Sequence, residues 1–191
     1  MARPLSISDE GILEASERVM HKLGPQGFSV SEVAREVGLT RAAITLRFDS
    51  AQSLKNLMIE RMVARFEARI DAEQLEYGAA GLVGVATMLS TSLQSRSQFA
   101  KFWTQHRVNV SDPVLADMER RRGAALRSLI ASVMPETAVD KDSAIDAYKA
   151  FLIGSMLNWQ SSDDDDPRAF MKKRAIIWIQ LAGIPMENVK P

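Results

Sequence analysis

The chain has 191 residues, 46% of them hydrophobic and 25% charged, with 24 basic side chains against 24 acidic. That is apolar material enough for the core of one domain or two small ones, and it excludes a disordered chain. The absence of cysteine excludes a disulfide framework, a thiolate zinc site, an iron–sulfur cluster and a cysteine nucleophile, while zero net charge leaves any nucleic-acid binding to local placement of charge.

Met1 to Ser8 lacks the apolar core of a secretory signal. The longest uncharged stretch, Tyr77 to Ser95, holds Thr87, Ser90, Thr91, Ser92 and Gln94 and is too polar to span a membrane. A soluble, cytoplasmic protein with no membrane partner is expected. Glycine and proline punctuate segments of helical period, and no β-branched alternation persists, so the chain reads as all-α with about nine helices.

The first helix is expected over about Ser8–Leu23, with Ile12, Ala15, Val19 and Leu23 on one face and Gly24-Pro25-Gln26-Gly27 as its terminating turn. A second, short helix follows Ser29, whose N-cap position has Glu32 three residues on, as in a capping box. Val30, Val33, Ala34 and Val37 form its stripe, and Gly38 stops it. Thr40 caps a third helix ending at Phe48. Asp49 and Ser50 lead into a fourth helix running to about Gln74, on which Leu54, Met58, Met62 and Phe66 repeat every four residues. Longer helices are expected over about Gly81–Ser95, Ser97–His106, Pro113–Met134, Asp140–Trp159 and Pro167–Leu181.

Two short helices joined by Gly38-Leu39-Thr40 have the connection of a helix-turn-helix. The eight residues from Arg41 to Phe48 make about 12 Å of helix, comparable to the width of a DNA major groove. Ile44 and Phe48 lie one turn apart and can face a core. Ala42, Ala43, Thr45 and Leu46 then fall on the other side, flanked by Arg41 and Arg47. Small residues allow close approach to base edges, and apolar ones can touch thymine methyls.

The order Ile12-Leu13-x-Ala15, Val19-Met20, Gly24, Gly27-Phe28-Ser29-Val30-Ser31-Glu32-Val33-Ala34, Val37-Gly38-Leu39-Thr40-Arg41-Ala42-Ala43-Ile44, Phe48 and Leu54 resembles the TetR family of transcriptional regulators. The resemblance covers roughly the first third of the chain. It implies a DNA-binding domain over 1–55, a ligand-binding and dimerisation domain over 56–191, and a homodimer that binds a near-palindromic double-stranded DNA operator, as a repressor released by ligand. It further implies phosphate contacts from Ser29, Ser31 and Thr40, a guanine contact from Arg41, and a backbone or minor-groove contact from Arg3. The family usually has tyrosine where this chain has Thr45 and lysine where it has Ala51. Arg47 stands where histidine or tyrosine is frequent and can supply a phosphate contact. Residues 1–55 balance seven basic against seven acidic side chains. The same departures leave open a second reading, a protein of this fold that has lost strong DNA binding and binds small molecules or partners.

In the body, Phe99, Phe102, Trp103 and His106 fall at helical spacing, and Met62, Phe66, Met88, Met118 and Phe151 can line the same interior. Methionines and aromatics suit a pocket for a small apolar or amphipathic effector, as they equally suit a plain core. Tyr148, Leu152, Ser155, Met156 and Trp159, with Phe170, Ile177 and Leu181, repeat at i, i+3/i+4 on the last two helices and are the expected dimer surface, with intramolecular packing the competing reading. His21, near the end of the first helix, suits a cation at the helix dipole. Asp163-Asp164-Asp165-Asp166-Pro167 lacks the glycine turn of a calcium loop and reads as solvated, with Asp166 capping the last helix. No metal-ligand spacing, catalytic triad, phosphate-cradling loop or dinucleotide fingerprint appears, so neither a cofactor nor catalysis is expected.

Overall fold

A computed structural model describes residues 7–91, 95–187 and 189. Among them the chain is all-α: α1 (Asp9–Gly27), α2 (Val30–Val37), α3 (Arg41–Phe48), α4 (Ala51–Ala72), α5 (Ala79–Ser90), α6 (Arg96–Val110), α7 (Pro113–Val133), α8 (Lys141–Gln160) and α9 (Pro167–Leu181). Gly24 breaks α1 as predicted, with φ 73° and ψ 178°, but residues 25–27 continue as helix beyond the kink instead of forming the expected terminating turn. No helix of the described residues is long and apolar enough to cross a membrane.

Contacts divide the chain into two compact units. One takes the residues up to Arg65 together with Ala100–Arg120, and the other takes Phe66–Phe99 with the residues from Arg121 on. The motif-based cut at residue 55 therefore does not coincide with the division by packing. The physical reason is a tertiary pairing: Leu115 and Met118 of α7 share a cluster with Met20 of α1 and Met58, Ile59 and Val63 of α4. Helical period shows that a face is apolar without showing what covers it.

In the first unit, α1, α2 and α3 close on Ile12, Val19, Val33, Ile44, Phe48 and Leu54, with Ile12, Val33, Ile44 and Leu54 fully buried. Arg61 of α4 ties α1 down at the rim. It donates to Glu17 at 2.9 Å and Glu14 at 3.1 Å and pairs with Glu10, while Arg65 also pairs with Glu17. Glu17 is buried, so these partners offset the cost of desolvating its carboxylate.

The second unit packs α5 and α8 against α9 around Leu82, Ile130, Met134, Ile145, Tyr148, Leu152, Met171 and Ile179. Gly81 is required here, because a Cβ would fall 1.8 Å from the Glu76 carbonyl oxygen and 2.8 Å from Val133. The Tyr148 hydroxyl donates to the Leu82 carbonyl at 2.7 Å, and burial pushes its pKa well above the ordinary phenol value. Asp166 caps α9 by accepting from the backbone N–H groups of Arg168 and Ala169, as the sequence predicts.

Candidate nucleic-acid interface

Local sequence sets the α2–turn–α3 geometry. Ser29, in extended conformation, accepts from Glu32 N at 3.2 Å and starts α2. The Glu32 carboxylate pairs with Arg35 at 2.6 Å, so it is engaged outside the expected capping box. Gly38 ends α2 in the left-handed region at φ 68°, a conformation that costs glycine nothing, and its N–H and that of Leu39 satisfy the last carbonyls. Thr40 then caps α3 by accepting from Ala43 N at 3.1 Å.

On α3, Ile44 and Phe48 are buried and Ala43 is half-buried, whereas Arg41, Ala42, Thr45, Leu46 and Arg47 are exposed. Leu46 stands out at 86% exposure. The Thr45 hydroxyl donates to the Arg41 carbonyl at 3.0 Å, which engages its one donor within α3. Arg41 makes no ion pair among the described residues, so its guanidinium is available. Ser29, Ser31 and Thr40 are exposed along the same segment.

Arg47 differs from expectation. Its Nε donates to Asp9 at 2.6 Å and its Nη1 to the Ile7 carbonyl at 2.8 Å, so the guanidinium ties the start of α1 to the end of α3. A phosphate contact would have to displace these bonds. Arg3 lies outside the described residues. Sequence reasoning also missed Arg61. The signal was present, as Glu10, Glu14 and Glu17 share a face of α1 at i, i+4 and i+7, and Arg61 and Arg65 are one turn apart on α4.

The expected ligand-lining residues divide between the units. Met62, Phe102, Trp103, His106 and Met118 belong to the first, where Met62 and Met118 join the Met58 cluster and the His106 ring stacks on Trp103 at 5.0 Å. Phe66, Met88, Phe99 and Phe151 belong to the second. There Met88 is core, Phe66 packs against that core, and Phe151 lies 6.4 Å from Trp178. A recess of about 330 Å³ beside Tyr77, Met134 and Lys141 is lined by none of them.

The expected dimer surface needs correction on α8. Tyr148, Leu152, Ser155 and Trp159 are all buried within the chain itself, and Tyr148 and Leu152 belong to the core shared with α5 and α9. Met156 is half-buried against that core. On α9, Phe170 is half-buried, but Ile177 and Leu181 are exposed, Leu181 at 81%. Besides Met156, small and apolar residues of α8 that remain at least partly accessible are Ala147, Ala150, Phe151, Ile153, Gly154 and Leu157, and a Cβ at Gly154 would meet no neighbour. His21 lies exposed near the end of α1, and partial desolvation of its ring lowers its pKa rather than favouring the cation expected there.

Residues 12–55 match the family model described as "Bacterial regulatory proteins, tetR family". An uncharacterized HTH-type transcriptional regulator of Mycobacterium tuberculosis is 23% identical over 176 residues, covering 89% of this chain and 84% of that protein. The fold is similar to that of a transcriptional regulator from Rhodococcus sp. Rha1, with TM-score 0.76, 22% identity and coverage of 97% of this chain and 100% of that one. It is also similar to that of a regulator from Saccharomonospora viridis in complex with choline, with TM-score 0.70, 18% identity and coverage of 92% and 96%.

Proposed function

As a TetR-family transcriptional regulator, this chain, we propose, works as a homodimer that inserts α3 of each copy into the major groove of a near-palindromic operator and represses transcription until a small effector binds. The observation that carries the reading is the outward face of α3. Arg41, with no ion pair among the described residues, stands beside Ala42, Thr45 and an 86%-exposed Leu46, on a helix fixed from below by Ile44 and Phe48. A folded monomer gains nothing from exposing Leu46, whereas a base-edge reader gains a methyl contact.

Arg41 is assigned to a guanine through two hydrogen bonds, and Leu46 with Ala42 to thymine methyls. Ser29, Ser31 and Thr40, at helix N-termini, are assigned to phosphates. In a two-fold dimer the two α3 helices would enter successive major grooves about 34 Å apart. The outward faces of α8 and α9, with Gly154, Leu157, Ile177 and Leu181, are assigned to the dimer contact. Choline held by the regulator from Saccharomonospora viridis supports a small-molecule effector in the body. Effector and operator are coupled through α4, which carries Leu54 in the core of the DNA-binding unit and Arg61 against α1. Such coupling is typically about 1–3 kcal/mol.

Selection from a random duplex pool followed by titration at increasing salt tests the proposal. Enrichment of one near-palindrome, with affinity falling steeply as salt rises, is the expected result. No enrichment and weak binding to every duplex would favour a protein of this fold that has lost its operator. Light scattering that shows a stable monomer at micromolar concentration would remove the dimer.

A further inference from the structure

Helices α6 and α7 carry, within the first unit, a row of buried polar side chains that DNA recognition does not use. Gln105 and Asn109 lie one turn apart on α6, and Glu119 is on α7; they are 6%, 3% and 8% exposed. Asn109 Nδ2 donates to Glu119 Oε1 at 2.7 Å, and Gln105 Nε2 donates to Asn109 Oδ1. Glu119 Oε2 lies 2.9 Å from His106 Nδ1.

The carboxylate sets the direction of the whole row. Its oxygen accepts, so Asn109 turns its amide nitrogen toward Glu119 and its oxygen toward Gln105. Gln105 must then offer nitrogen to Asn109, which leaves its carbonyl Oε1 at the far end. That oxygen is buried and has no hydrogen-bond partner among the described residues. Buried acceptors without partners are rare and costly, and each amide in such a row polarises the next, making the terminal oxygen a stronger acceptor than an isolated amide.

We infer that Gln105 Oε1 is the recognition point for an effector bearing a protonated primary amine on a small apolar frame. The inference rests on the proposed reading of the chain as an effector-responsive regulator and adds the effector's chemical class. An N–H donor satisfies the orphan oxygen, and the carboxylate at the other end of the row favours a cation over an anion. Met118, next to Glu119 in the chain, belongs to the apolar cluster of the same unit with Met20 and Met58, and the frame is assigned to that surface. A quaternary ammonium has the charge without the donor, and a carboxylate has neither.

The test titrates the full-length, ¹⁵N-labelled protein with benzylamine, benzyltrimethylammonium and benzoate at neutral pH. Benzylamine is expected to shift the Gln105 and Asn109 side-chain amide resonances saturably while the other two leave them in place. Gln105→Met is expected to weaken benzylamine binding about tenfold or more. Equal shifts from all three compounds, no saturable shift with benzylamine, or full-strength binding by folded Gln105→Met would overturn the assignment. Should Gln105→Met not fold, the resonances of the unaltered protein decide alone. Release of selected operator DNA by benzoate or benzyltrimethylammonium, with the Gln105 amide unmoved, would overturn the Gln105 assignment and leave effector sensing intact.

Discussion

Helices α3 and α8 both carry apolar side chains at helical spacing, and the structure gives them opposite fates. On α8, Tyr148, Leu152 and Trp159 are removed from solvent and, with buried Ser155, join one side of a packed unit. On α3, Ile44 and Phe48 are buried while Leu46 is left in water. The difference lies in what each helix has beside it. The 20 residues of α8 pack on α9 along a broad face, whereas the eight residues of α3 are held by α2 on a narrow one. An apolar residue on the open side of a short, well-anchored helix is thus informative in a way that the same residue on a long central helix is not.

The comparison breaks most visibly if the two leucines are truncated in turn. Leu152→Ala should lower unfolding free energy by about 3–5 kcal/mol in urea titrations, whereas Leu46→Ala should stay within about 0.5 kcal/mol of the parent. Equal effects would mean that α3 is not open. Arg61→Ala comes next. It leaves the buried Glu17 with fewer partners and exposes three acids on α1 to one another, and should cost about 2–3 kcal/mol in the same assay. Little change would show that this network lies in solvent.

Two smaller effects sharpen the reading of α3. Arg41→Ala should cost about 1–3 kcal/mol on a selected operator and less on random duplex, measured by fluorescence anisotropy; equal losses would make Arg41 a phosphate contact. Replacing the contacted thymine by deoxyuridine should weaken the parent by about 1 kcal/mol and leave Leu46→Ala unaffected, since only a methyl group is removed. The smallest effect is on pH. Partial desolvation holds the pKa of the surface residue His21 below its ordinary 6.5, so the unfolded chain takes up its proton first as pH falls. The contribution of neutral His21 to stability is complete above about pH 6.5 and declines below it, a slope that His21→Gln should flatten.

What could be read before folding was what neighbours in sequence determine. Ser29, Gly38 and Thr40 are caps because of their own backbone preferences and those of the next three residues, and they occupy those positions in the structure. The break at Gly24 and the cap at Asp166 belong to the same class. The residues that misled are those whose partners lie far along the chain. Arg47 looked free because Asp9 is 38 residues away, and the inward turn of Tyr148 depends on a carbonyl at Leu82, 66 residues earlier. Helical period gave α8 a buried face without saying whether a second copy or the same chain covers it.

The freedom of Leu46 has a consequence for how such a protein changes over generations. If α3 reads DNA as proposed, substitutions at a residue 86% exposed alter which duplex is preferred without passing through poorly folded intermediates. A descendant could acquire a new target site by drift at positions 42, 45 and 46 while the scaffold beneath stays under undiminished selection.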